Sequence, residues 1–148
     1  LNQRQPVPKW FLYLNTTLTD IVGDSISYSI VYDTTLYASE GVTVVSDNVT
    51  VPISGYYLLT AGTKVSGITA SHTRVTLNIG GVRYYGNNPD VIDVGTSYSI
   101  TCNAILYIAS GSSCNVDIGF VSGPKVIDII GAAAPNYVTW FSGQLLHT

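Results

Sequence analysis

The sequence predicts an all-β fold, a β-sandwich or jelly roll of about eight to ten antiparallel strands. Three observations carry that reading. Apolar residues recur at period two along many short segments, the pattern of strands with one face against a core. Clusters of Gly, Pro, Asn, Asp and Ser interrupt those segments every roughly 8–12 residues, the rhythm of sandwiches and barrels. No segment repeats its apolar residues at helical spacing. The 148 residues suit one domain with a sizeable core. It is assigned to residues 10–148, with residues 1–9 as an extended arm.

In the arm, Pro6 and Pro8 forbid regular structure. Residues 10–14 (Trp-Phe-Leu-Tyr-Leu) read as a first strand and 16–25 as a loop with a turn at Gly23-Asp24. In 26–32, Ile26, Tyr28, Ile30 and Tyr32 alternate with Ser27, Ser29 and Val31, which predicts a second strand. Residues 33–41 read as a loop and 42–45 as a short strand. Val49, Val51 and Ile53 then alternate with Asn48, Thr50 and Pro52. Pro52 has no N–H to give a ladder, so that strand lies at an edge or ends there. After a turn at Ser54-Gly55, Tyr57, Leu59, Ala61 and Val65 share one face and Tyr56, Leu58, Thr60 and Lys64 the other. The second face is itself rather apolar, which predicts a strand covered on both sides. Val75, Leu77 and Ile79 mark a further strand, Gly80-Gly81 a two-residue hairpin turn, and residues 82–85 the return. Residues 97–108 and 114–121 read as a hairpin turning near Gly111. Residues 126–130 are apolar but too short to assign, and 136–146 form the closing strand. The expected core includes Tyr57, Leu59, Leu106, Phe120 and Phe141. In the closing strand the alternation places one large aromatic on each face. Phe141 is taken as the inward one because it has no polar atom to satisfy, whereas the Trp140 indole N–H needs a partner.

Charged residues are 10% of the chain, against roughly 25% in an average soluble protein. A surface rich in Ser and Thr would account for this, and so would a surface buried against identical subunits. The eleven Tyr favour the second, since Tyr is enriched at interfaces. Tyr28, Tyr32, Tyr56 and Trp140 are the aromatics assigned to a subunit interface or to the surface. A net charge of −3 with singly scattered Lys and Arg argues against a nucleic-acid binder, which needs a basic patch. No apolar run reaches the ~18 residues of a membrane-spanning helix.

Residues that could carry chemistry are few. His72 and His147 have no Cys or Asp partner at nucleophile or metal spacing, and both read as solvated. The Gly-x-Ser-x-Gly elbow is absent. Asp90 with Asp93, and Asp20 with Asp24, read first as turn formers and only second as calcium ligands. No catalytic residue, metal ligand or cofactor is assigned. Asn15-Thr16-Thr17 and Asn48-Val49-Thr50 match the glycosylation pattern, at a frequency that chance supplies. Tyr28, Tyr32, Tyr37, Tyr56, Tyr84 and Tyr85 read as core or interface more readily than as a sugar-stacking surface. In the hairpin register above, Cys102 lies opposite about residue 120 and far from Cys114, at ~3.3 Å per residue. A disulfide needs Cα atoms within ~7 Å. Two free, buried thiols are expected, as suits folding in a reducing cytoplasm.

Three segments resemble the C1q/TNF-like jelly roll, and specifically the globular head of complement C1q relatives. The first is Val49-Thr50-Val51-Pro52-Ile53-Ser54-Gly55-Tyr56-Tyr57-Leu58-Leu59. The second is Ala104-Ile105-Leu106-Tyr107-Ile108 with Cys114-Asn115-Val116-Asp117-Ile118, although the Gly-Asp turn typical of that family is missing. The third is the closing Thr139-Trp140-Phe141-Ser142-Gly143-Gln144-Leu145-Leu146. In the front half, Trp10-Phe11-Leu12-Tyr13-Leu14, Val22-Gly23-Asp24, Val31-Tyr32-Asp33-Thr34 and residues 66–73 resemble C1q-type domains of tailed phages and aquatic viruses.

The resemblance implies a homotrimer, no enzymatic activity and a structural role in a virion. The first expectation is a decoration or cement protein on the capsid surface of a phage head, assembled in the host cytoplasm. Its arm, with Arg4, Pro6, Pro8 and Lys9, would grip the major capsid protein. The alternatives are a fibre-tip module that recognises a host-surface glycan or protein, and a secreted C1q-like recognition protein. The chain holds no Gly-X-Y repeat, which counts against a complement-type role.

Overall fold

The structure, a computed structural model, describes residues 6–80, 82–85 (backbone alone) and 97–148. Its regular elements are all strands. The first half contributes β1 (Lys9–Tyr13), β2 (Leu18–Val22), β3 (Tyr28–Ser29), β4 (Thr34–Ala38), β5 (Thr43–Val45), β6 (Asn48–Thr50) and β7 (Gly55–Ser66). The second half contributes β8 (Arg74–Ile79), β9 (Val82–Tyr85), β10 (Tyr98–Ile108), β11 (Ser113–Cys114), β12 (Val116–Val121), β13 (Ile127–Ile129) and β14 (Trp140–His147). Every pairing is antiparallel.

Strand β7 is the axis of the largest, seven-stranded sheet. On one side it pairs with β10 along its whole length, from Gly55↔Ile108 to Val65↔Tyr98. On its other side β14 covers residues 56–62 and β13 covers Val65 and Ser66. The sheet then continues from β14 to β1 and β4, and from β13 to β2. A second sheet runs β3-β12-β8-β9 and a third β11-β6-β5. One hydrophobic cluster joins all three: Trp10, Tyr57, Leu59 and Phe141 from the large sheet, Leu77, Ile118 and Phe120 from the second, Val49 and Cys114 from the third. The alternation of burial along β10 and along β7, broken in β7 only at Gly62, is the period-two pattern of the sequence made physical.

Two strand glycines fix how the large sheet packs. Gly143 lies opposite Trp10 and Gly62 opposite Trp140. A Cβ at either position would fall closer than 3.0 Å to three carbons of the indole it faces. Each tryptophan therefore lies flat across a partner that has no side chain, Trp10 on the core face and Trp140 on the outer one.

Several expectations need correction. Residues 97–108 and 114–121 do not form a hairpin. β10 pairs with β7 while β12 pairs with β8 and β3, so the connection crosses from one sheet to another. Both runs look alike because both face the same core, from opposite layers. The register argued for the cysteines is thus wrong, yet Cys102 and Cys114 are free and buried. Loops expected at 16–25 and 33–41 contain β2 and β4. Both are edge strands, β4 with mainly exposed side chains and β2 with only Val22 fully buried, so they lack the alternation that would mark them. The unassigned 126–130 contains β13. The arm ends sooner than residue 9. Pro8 is buried and its C=O accepts the Leu145 N–H at 3.0 Å. Lys9 opens β1, and its N–H donates to Ser39 Oγ at 2.9 Å. Tyr32, assigned to an interface or surface, is in the core at 7% exposure, its ring against Phe141 at 6.3 Å.

Candidate functional site

The outward face of the large sheet is the feature a single protomer leaves unexplained. Tyr56 and Leu58 point outward from β7, and β10 places Tyr107 directly opposite Tyr56 and Ile105 opposite Leu58. The two tyrosine rings meet edge to face, 5.5 Å between centroids. On the other flank of β7, Leu58 faces Gln144, and Leu146 is exposed where a register shift interrupts β14. Ile105 is 61% exposed, Tyr107 59%, Leu146 51%, Tyr56 50% and Leu58 38%. No Lys, Arg, Asp or Glu belongs to that group. Exposed apolar side chains grouped across neighbouring strands, as Tyr56, Leu58, Ile105 and Tyr107 are, mark an interaction site when the patch they form is large.

Beyond the apolar half, the same face turns polar. Thr60 and Ser142 share a hydroxyl–hydroxyl hydrogen bond, Asn103 lies opposite Thr60, and Trp140 covers Gly62. Toward the β4 edge an aromatic row follows. Phe11 meets Tyr37 at 6.1 Å and Tyr137 at 5.1 Å, and Tyr137 meets Tyr13 at 4.8 Å. Lys9 Nζ lies 5.5 Å above the Tyr37 ring, a cation–π contact at the rim.

The end of the molecule that carries Pro6 and the C-terminus is tied together by its loops. The Ser110 N–H donates to Ser54 Oγ at 2.8 Å, its hydroxyl to the Pro52 C=O at 2.7 Å, and the Gly111 N–H to the Val51 C=O at 2.9 Å. A cleft of about 360 Å³ opens there between Pro6, Pro8, Glu40, Gly41, Pro52 and Ile53. Pro6 and Val7 are exposed beside it. Arg4 lies outside the described residues.

The remaining candidates separate. Tyr57, Leu59, Phe120 and Phe141 lie within the core, and Leu106 packs on it while partly exposed. Tyr28 and Tyr56 belong to different sheets and Tyr32 is internal, so the tyrosines named for sugar stacking do not share one surface. The side chains of Tyr84 and Tyr85 lie outside the described residues, as do Asp90 and Asp93. Asp20 is engaged through its backbone, its N–H donating to Asp128 Oδ1 at 2.8 Å. Among the described residues no three His, Cys, Asp or Glu side chains converge on a metal-sized site. Burial pushes both thiols up to about 12, which keeps them protonated and unreactive. His147 is exposed, but His72 is 5% exposed rather than solvated. The interaction face itself was half legible: the sequence shows β7 apolar on both sides, and only the fold shows that Tyr56 and Leu58 on the second side stay exposed among the described residues.

No protein-family model matches the chain, and no curated protein matches it. Solved structures do. The globular domain of zebrafish complement 1qA protein superposes with a TM-score of 0.63 at 13% identity, over 96% of this chain and 98% of that one. Murine APRIL in its pH 8.5 crystal structure gives 0.59 at 14% identity, over 95% of this chain and 100% of that one. Its pH 5.0 structure gives 0.57 at 14% identity with the same coverage. At such identities the likeness is one of fold, and the fold is the C1q/TNF-like jelly roll.

Proposed function

We propose that the chain is a non-enzymatic structural protein of a virion, a homotrimer that decorates the capsid of a phage head. The observation that carries self-association is the uncharged face of Tyr56, Leu58, Ile105, Tyr107 and Leu146, whose partner is a second copy of this chain. In a three-fold ring each protomer offers this face to a neighbour's different surface, and the contact closes without leaving an open end. The low charge content fits, because an interface needs no solvating charge. The virion role is supported by the resemblance of the front-half segments to phage C1q-type domains. Buried free thiols fit assembly in a reducing cytoplasm.

In this reading the end bearing Pro6 and the C-terminus faces the capsid shell. Residues before Pro8, including Arg4 and Pro6, extend from it and add backbone contacts to the major capsid protein. Pro8 and Lys9 belong to the body and fix the direction in which that segment leaves. Three such segments acting together multiply weak single contacts through effective concentration. The experiment is to quantify the protein by mass in intact purified virions. Hundreds of copies per particle are expected of a decoration protein, whereas a few dozen or fewer would assign it to a fibre. Absence from the particle would overturn the reading.

A further inference from the structure

We propose that His72 is an acid-sensitive latch that holds closed the loops at the end of the molecule opposite the C-terminus. The location follows from β7, which starts beside the C-terminus and runs to Ser66 at the far end. There the imidazole is the shared partner of two loops that are distant in sequence. The Thr69 N–H donates to Nδ1 at 2.9 Å, and Nε2 lies 3.0 Å from the Pro124 carbonyl oxygen. A backbone N–H can only donate and a carbonyl can only accept. The ring is therefore neutral, with its proton on Nε2.

Three segments close over it. A Cβ on Gly123 would meet the ring at 2.6 Å and one on Gly23 would meet Nε2 at 2.9 Å. Both glycines have positive φ, 119° and 133°, so both turns are shaped around an imidazole that fills the space. The Phe120 ring packs edge-on from the core, 5.8 Å away. The ring's hydrogen-bond partners are uncharged. The ionisable side chains carried by the segments around it are Asp24, half-buried, and Arg74 and Lys125, both exposed.

A second proton would go to Nδ1. It would point at the Thr69 N–H, which then loses its acceptor. The Thr69 hydroxyl, 3.0 Å from Nδ1, can take the new N–H, but the backbone donor stays orphaned and a positive charge sits beside Phe120. The state that relieves both lets the ring swing out and frees loops 67–73 and 122–126. Histidine is the side chain whose charge changes between about pH 5 and 8. The closed arrangement is thus held while the ring is neutral and lost as pH falls.

The test is hydrogen exchange on the intact protein at about pH 7.5 and about pH 5, with protection factors corrected for the intrinsic effect of pH. Ring nitrogen shifts, followed by NMR on the same sample, report when His72 charges. Protection at Thr69, His72 and Val126 should fall on the order of tenfold as the ring charges, while amides in β7 and β10 hold. His72→Gln should remove the acid response and His147→Gln should leave it intact. If His72→Gln does not fold, the wild-type coincidence of charging and opening decides alone. Protection that stays constant while the ring charges, a ring that remains neutral at the acid limit, or an acid response that survives in folded His72→Gln would each overturn the proposal.

Discussion

Placing a methyl group on Gly143 tests the packing that positions the interaction face. In a strand, Gly→Ala ordinarily stabilises by about 0.5–1 kcal/mol, because glycine loses the most freedom on folding. Here the added carbon falls inside the Trp10 indole. That ring is fully buried between Tyr57, 6.0 Å away, and Phe141, 5.6 Å away, and has no direction in which to retreat. Overpacking of this kind costs about 1–3 kcal/mol, so Gly143→Ala should destabilise. Trp10→Ala alone should cost about 3–5 kcal/mol. In the double variant the new methyl occupies space the indole has vacated, so the combined loss should fall short of the sum by about 1–3 kcal/mol. Urea unfolding monitored by far-UV circular dichroism gives all four stabilities, at one fixed protomer concentration because association contributes. A neutral or stabilising Gly143→Ala, or losses that add within about 0.5 kcal/mol, would refute the reasoning.

Other expectations follow from the same structure. Thiol titration without reductant should find no reactive cysteine in the native protein and two per chain after denaturation; a bridge between Cys102 and Cys114 in the mass spectrum would contradict it. Partial burial raises the Asp33 carboxyl, but the N–H groups of Asn15 and Thr16 and the Thr34 hydroxyl outweigh it and hold it below the ordinary carboxylate value. Its stabilisation is therefore present above the unfolded value of about 3.9 and lost as pH falls through the lower folded one. Asp33→Asn should then melt below the wild type at about pH 7 and level with it at about pH 2, and a gap independent of pH would refute the assignment. Deleting residues 1–7 should leave a folded oligomer that no longer binds undecorated capsids, and unchanged binding would move the anchor to the body.

What the sequence made legible follows the depth of burial. β7, β8, β10 and β12 alternate between a core and an outer face, and their side chains announce it. β2 and β4 escaped because edge strands with few buried side chains carry no such period. The false hairpin at 97–121 has a physical cause: alternation says that two strands face a core, not that they face it from the same sheet. His72 looked solvated because its neighbours in sequence are polar. Beside the nearby Thr69, its surroundings are Gly23, Gly123, Pro124 and Phe120, which the fold brings to it and which carry no signal of contact. The interaction face was visible as a second apolar side of β7, but β10 and β14 had to be placed beside it before Ile105, Tyr107 and Leu146 could be added.

The central claim is that this face joins copies of the chain, and the molar mass in solution tests it most directly. By light scattering at micromolar concentration the wild type should show three chain masses. Leu58→Lys combined with Ile105→Lys, which places two positive charges opposite one another at the centre of the apolar group, should reduce it to one with its circular dichroism unchanged. A wild-type protein that stays at the single-chain 15.8 kDa would contradict the account.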